Sequence, residues 1–272
     1  MNVKETLMPR CTVIIPAWGE TPLLERARKS IETQTYGAVE PVVIAPPADG
    51  PQTAMAARWA ALEKAQGEWI AFCDADDWME PDSINEMMTA AERESADCVC
   101  CGLVRDGAGG KSIRKPFDPN GPSDTYNALV NKLFRRELLA DISVDLSVSL
   151  GEDLMVTAQA LRKARHVAVM DKAFYHYCEN GASVTHVQDG RKRVEDLARV
   201  GEILREAMPE AEYGDFHDRV TRDALLLWIR YRLFDRKLWR ALRARMKGGL
   251  LADPRHGIIK KGALACAACL FD

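Results

Sequence analysis

Residues Asp74 to Asp77 read Asp-Ala-Asp-Asp, three carboxylates within four positions, directly after the apolar run WIAFC at 69–73. Carboxylates this crowded repel one another, and a hard divalent cation held through oxygen ligands relieves the repulsion. Asp74, Asp76 and Asp77 therefore suit Mg²⁺ or Mn²⁺. A plainer reading stays open, because acids ahead of Pro81 also favour the N-terminus of the helix expected next. A second acidic pair, Glu152-Asp153 after Gly151, stands at the start of another expected helix, where capping and the helix dipole are a sufficient local explanation.

Other residues with chemical potential read more blandly. Cys98 and Cys101, and Cys266 and Cys269, are each C-x-x-C, and two such pairs can build a zinc site. The first pair falls in an apolar run with the character of a buried strand, where alternate side chains point to opposite faces, so buried thiols are expected there. His166, His186, His217 and His256 have no ligand spacing, and His176 between two tyrosines reads as a packing residue. Trp228, Tyr231, Phe234 and Trp239 alternate with arginines as in some nucleic-acid binders. The acidic remainder of the chain and the absence of any nucleic-acid motif exclude that partner.

The elements that must position these residues follow from periodicity. TVIIP at 12–16 is a β-branched run without polar alternation, the mark of a strand covered on both faces. Thr21-Pro22 opens a helix carrying Leu23, Leu24, Ala27 and Ile31, and VVI at 42–44 completes a βαβ unit. A loop at APPADGP, a helix over 53–66, the strand WIAFC, a helix after Pro81 and an apolar run from Cys98 to Val104 continue the alternation. Such a pattern predicts an α/β, doubly wound, mostly parallel sheet of the Rossmann-like, nucleotide-binding kind. Residues 106–124 read as a mobile loop. A helix is expected to contain Asn131 to Arg136, another to run from Glu152 to Arg165, and a short strand and an aromatic segment to follow at 166–177. From about Arg191 the pattern is helical.

In open parallel sheets ligands sit beyond the carboxyl ends of the strands. Pro16 to Glu20 and Asp74 to Asp77 both fall at such ends. With 272 residues and 47% apolar content the chain can bury a substantial core. MNVKETLMPR lacks the apolar centre of a signal peptide, and the longest uninterrupted apolar run is too short to span a bilayer, so a cytoplasmic protein with reduced cysteines is expected. The net charge of −3 conceals an asymmetry, since Arg219 to Lys261 holds thirteen Lys or Arg against three acids. An acidic body thus adjoins a basic segment, either a solvated helical face or a contact with phosphate or anionic lipid.

Taken together, the motifs resemble those of the family 2 glycosyltransferases from Cys11 to about His186. TVIIPAWGE at 12–20 looks like the family's opening strand and turn, with Trp18 at its aromatic position and Gly19 where Asn is usual. Ser30-Ile31 with Gln34-Thr35, Ala57-Arg58 with Gly67-Glu68-Trp69-Ile70, and DADD at 74–77 match successive family motifs. So do Asn131 to Arg136, Gly151-Glu152-Asp153, Tyr175-His176-Tyr177 and Ser183-Val184-Thr185. One region departs: the family's second strand ends in an acidic stretch that reads the nucleotide base, and a further strand follows. Here VVI runs into Ala45-Pro46-Pro47-Ala48-Asp49-Gly50, only Asp49 could supply the carboxylate, and the further strand is missing.

The resemblance implies a GT-A fold over residues 1–188 with a helical, basic extension over 189–272. It implies an inverting, metal-dependent transferase that moves a sugar from a nucleotide diphosphate, UDP favoured, to an acceptor hydroxyl in polysaccharide or glycolipid synthesis. Pro16, Trp18, Glu20, Asp49, Arg58, Asp74 and Ala75 would border the nucleotide, and Asp76 with Asp74 would hold Mn²⁺ or Mg²⁺. Asp153 would be the general base beside Glu152, with Lys132, Tyr175 and His186 on the acceptor or diphosphate side. The expected partners are the donor, a glycan or lipid-linked acceptor and the anionic inner face of the membrane, where the protein would be peripheral. The altered second-strand motif leaves two alternatives, a nucleotide-sugar-binding relative without turnover and a scaffold that uses the basic segment.

Overall fold

Every residue of β1 (Cys11–Pro16) is buried, as a run without polar alternation requires. The computed structural model describes residues 10–107, 110–114, 128–179, 189–233, 235–244 and 258–271. Two units divide the chain, one of Met1–Ile142 with Val156–Gly181, the other of Ser143–Met155 with Ala182–Asp272.

In the first unit β1 lies parallel to β2 (Val39–Ile44) on one side and to β3 (Trp69–Phe72) on the other, Ile14 standing opposite Val42 and Phe72. Between β1 and β2 runs α1 (Pro22–Glu32), started by Thr21, whose hydroxyl accepts from Leu24 N at 3.0 Å. Leu24, Ala27 and Ile31 form its buried face. Between β2 and β3 runs α2 (Ala54–Leu62), capped in the same way by Thr53. It is the only regular element between Ile44 and Trp69, and among the described residues β2 ends the sheet. Because α1 leads to one side of β1 and α2 returns the chain to the other, the sheet has a topological switch point between β1 and β3. In open α/β sheets ligands bind beyond the strand ends at such a point. Gly67 seats β3 against β1: a Cβ on it would lie 2.5 Å from Thr12 N, and its own N–H donates to the Thr12 hydroxyl.

The remaining elements of this unit are β4 (Trp78–Met79), α3 (Ser83–Glu94), β5 (Cys98–Gly107), β6 (Gly110–Arg114), β7 (Lys132–Arg135), a 3₁₀ turn at Arg136–Leu139, most of α4 (Glu152–Lys163), and β8 (Val167–Cys178). The sheet order is β2-β1-β3-β7-β5-β8-β4, with β6 on β5. β5 and β8 are parallel, and β7, β6 and β4 pair antiparallel to their neighbours.

Three expectations need correction. Asn131 to Arg136 is not helical: Lys132, Leu133 and Phe134 are buried in β7 between β3 and β5. A short apolar run carries no period that separates strand from helix. The strand and the aromatic segment of 166–177 are one strand, β8, twelve residues long. Part of the loop expected at 106–124 is the β5–β6 hairpin. Cys11, Cys73, Cys98, Cys100, Cys101 and Cys178 are free thiols, and Cys98 faces Cys100 on its own side of β5 rather than Cys101; the side chains of Cys266 and Cys269 lie outside the described residues.

In the second unit α5 (Gly190–Ala207) packs on α6 (Glu210–Arg230), and α6 packs on α7 (Arg236–Arg243) and α8 (Ile258–Phe271). Trp228 of α6 and Trp239 of α7 are buried with ring centroids 5.0 Å apart. Among the described residues no helix is long and apolar enough to cross a membrane.

Candidate active site at the switch point

The acidic turn at 74–77 leaves β3 and enters β4, and three elements hold it. From α1, Met79 N donates to Ser30 Oγ at 3.2 Å, Gln34 Nε2 donates to Glu80 O at 2.7 Å, and Thr35 N donates to Pro81 O at 2.9 Å. The Ser-Ile-x-x-Gln-Thr pattern therefore fixes the chain just past the carboxylates. From α2, Arg58 reaches Asp74 with Nη2 2.6 Å from Oδ1, its side chain 4% exposed.

From β8 come the remaining ties. Asp74 N donates to Tyr175 Oη at 3.1 Å, Tyr175 Oη donates to Asp77 Oδ2 at 2.5 Å, and Cys178 N donates to Asp77 Oδ1 at 2.8 Å. Next to them the His176 ring stacks on Trp78 at 3.6 Å and 14°, with Nε2 2.7 Å from Glu80 Oε1. Asp77 is 1% exposed, and burial followed by the Asp74 charge raises its pKa to about 8. Burial likewise drives the Tyr175 phenol well above its ordinary value, so it remains a donor.

The three carboxylates thus differ. Asp77 is turned inward as a strand tie and Asp74 is paired with Arg58, while Asp76 is half-buried with its carbonyl oxygen accepting from Arg26 Nη2 at 2.5 Å. Among the described residues no three His, Cys, Asp or Glu side chains gather as a metal cage. Asp76 and Asp74 fit instead the hard-cation mode in which one or two carboxylates are completed by substrate phosphate oxygens.

Of the other residues expected near the nucleotide, Pro16 is buried at the end of β1, Trp18 is 53% exposed, and exposed Glu20 accepts from Arg28 Nη2 at 2.9 Å. Asp49 is exposed in the turn after β2, and Ala75 is half-buried. Lys132 is 1% exposed in β7, with Nζ donating to Ala128 O at 2.6 Å and Asn131 Oδ1 at 2.9 Å. His186 lies outside the described residues. Arg26, Trp78 and Cys178 were not singled out by sequence reasoning, since each acts through a partner at least 50 positions away or through its backbone.

Glu152 and Asp153 belong to the second unit, half-buried in the first turn of α4. The loop before them is tied to α5. Ser149 N and Oγ donate to Asp196 Oδ2 at 3.0 and 3.1 Å, Lys192 Nζ donates to Ser147 O at 3.0 Å and to Asp196, and Arg199 Nε donates to Asp145 Oδ2 at 2.9 Å. Gly151, at φ +82°, rests against Leu197 and Val200.

Residues 50–146 match the family model described as Glycosyl transferase family 2. EpsJ of Bacillus subtilis (strain 168), an uncharacterized glycosyltransferase, is 23% identical over 227 residues, covering 66% of this chain and 64% of EpsJ. The chain therefore spans just under two thirds of that relative. The structure of Staphylococcus aureus TarS 1–349 in complex with UDP-GlcNAc is similar at a TM-score of 0.63 and 15% identity, over 86% of this chain and 79% of that one. The mannosyltransferase PcManGT from Pyrobaculum calidifontis, in complex with GDP-Man and Mn²⁺, gives a TM-score of 0.50 and 17% identity, over 97% of this chain and 81% of that one. At these identities the structural likeness is one of fold.

Proposed function

We propose that this chain, whose residues 50–146 match the family 2 glycosyltransferase model and whose fold is that of the glycosyltransferase structures it resembles, transfers a sugar from a nucleoside diphosphate to an acceptor hydroxyl. The observation that carries this reading is the acidic turn at the β1/β3 switch point, where α/β sheets of this kind bind nucleotides. Pro16, Trp18, Glu20, Asp49, Ala75 and the Arg58–Asp74 pair border the nucleotide, and Asp76 with Asp74 faces the diphosphate. A divalent cation bound there supplies positive charge opposite the departing diphosphate. Arg58 holds Asp74 in place, and Tyr175 with Cys178 holds Asp77 so that the turn keeps one shape.

A UDP-sugar is the favoured donor, supported by the likeness to a structure that binds UDP-GlcNAc, and Mn²⁺ is supported by one that binds GDP-Man with Mn²⁺. The acceptor is a glycan or lipid-linked hydroxyl in cell-surface polysaccharide synthesis. Asp153, with Glu152 beside it, deprotonates that hydroxyl and the anomeric centre inverts, as an in-line displacement with a base opposite the leaving group requires.

A thermal-shift screen of nucleotide sugars, with and without Mn²⁺, tests the reading. A ligand at a hundred times its dissociation constant stabilises by about 2.7 kcal/mol. A UDP-sugar is expected to raise Tm only with the metal, and a flat response to every nucleotide sugar would overturn the proposal. Binding without product would favour the turnover-free alternative, for which the acid-poor loop after β2 speaks.

A further inference from the structure

The turn that starts α4 carries a glycine at φ +82°, and the preceding loop, 145–149, is tied to α5 through Asp145 and Ser149. Asp196 is the centre of that support. It is 4% exposed, and one of its oxygens takes both the backbone N–H and the hydroxyl of Ser149 while the other takes Lys192. Lys192 in turn reaches Ser147 O, and about two helical turns further on, Arg199 reaches Asp145, whose carboxylate also binds Ser147 N and Oγ. A buried carboxylate with one oxygen taken by this loop and the other by a lysine of its own helix holds the loop in place, because releasing it would leave buried hydrogen-bonding groups unpaired.

We propose that Asp196 is a positioning residue for transfer: it fixes Ser149, and through Gly151 it holds Asp153 at the place from which the acceptor hydroxyl is deprotonated. This rests on the reading of Asp153 as general base. Asp196 touches no reacting atom. Its effect is geometric, and a displacement of about 1 Å at a reacting group costs on the order of 10²-fold in rate. The helical extension, in this view, supports the base directly.

The test is a double-mutant cycle on the full chain, with the rate of UDP release from UDP-N-acetylglucosamine in Mn²⁺ and the calorimetric Kd for UDP as readouts. D153N is expected to slow release by roughly 10²-fold and D196A by about 30-fold, each with the UDP Kd within about twofold of wild type. In the D153N background D196A should cost nothing further, since residues acting as a unit are non-additive. D196N, whose carbonyl can still accept from Ser149, should recover to within about fivefold of wild type. Should D196A fail to fold, R199M, which cuts the exposed tie to Asp145, carries the same cycle with a smaller expected loss. A slow D153N beside an unchanged D196A or R199M, or an equal loss in both backgrounds, overturns the role of Asp196. A D153N enzyme at the wild-type rate, or a wild type that releases no UDP, instead removes the reading beneath it.

Discussion

Asp74, Asp76 and Asp77 are neighbours in sequence with unlike surroundings, and their chemistry follows the surroundings. Asp77 is buried and hydrogen-bonded to Tyr175, Asp74 is matched by a buried guanidinium, and Asp76 is half-buried between them. Asp76→Ala should therefore abolish Mn²⁺-dependent UDP binding in calorimetry and leave the circular dichroism spectrum unchanged. Removing one charge from the crowded turn should also leave Tm equal or higher. Unaltered Mn²⁺-dependent binding by the mutant would take Asp76 out of the cation site. That the turn bears on chemistry was legible from three acids after a buried strand. Their division was not, because it depends on which carboxylate meets Tyr175 across 98 positions of sequence and which meets Arg58.

Elements with a strong local signal were legible: β1 and β3 through unbroken apolar runs, and α1 through Thr21, Pro22 and its helical stripe. β7 was not, since a strand of four residues, three of them buried, has no readable period, and β8 was divided because Asp171 and Lys172 interrupt it as exposed residues. Asp97 shows how one residue joins two such elements, accepting from Arg165 N at 2.9 Å and Nη2 at 3.1 Å just ahead of β5 and β8. The Arg165 contact holds its carboxyl below the ordinary value of 3.8. A depressed folded-state pKa contributes stability that is present above the unfolded value and lost as pH falls through the folded one. D97N should accordingly have a lower Tm at pH 7 and a shallower decline below about pH 4. Parallel Tm–pH curves for the two proteins would contradict this. Gly151 is the corresponding case at a helix start. A Cβ there meets Leu197 Cδ2 at 2.9 Å with φ at +82°, so Gly151→Ala should destabilise by about 1–3 kcal/mol in urea titration. L197A in the same chain should relieve only the contact. An unaffected midpoint would show the turn to be permissive.

At the scale of the whole molecule, the basic segment can be judged by what its aromatic residues do. Trp228 and Trp239 are buried against each other, whereas Arg230, Arg232, Arg236, Lys237 and Arg240 are exposed. Contact with an anionic membrane should then be electrostatic, at about 1 kcal/mol per basic residue, and weaken with salt. The chain should sediment with phosphatidylserine vesicles at low ionic strength and dissociate near 0.5 M salt, a regime of roughly 4–5 Å screening. Equal recovery with phosphatidylcholine would remove the membrane from its partners. The extension over 189–272 was legible as helical and basic. Its alliance with residues 143–155 was not, because it is made by Asp145 and Ser149 with α5 side chains that are 54 and 47 positions away. The tie between the acidic turn and β8 also bears on the order in which the chain acquires its parts. As it leaves the ribosome, β1, β2 and β3 can pair as soon as residue 72 has emerged, but β4 pairs only with β8, and Asp77 waits for Tyr175 and Cys178. Closing so long a loop carries its entropic cost before any contact repays it. The nascent protein therefore has a parallel sheet well before its acidic turn is fixed, and a synthesis arrested before Tyr175 leaves a chain that can begin to fold but cannot hold Asp77 in place.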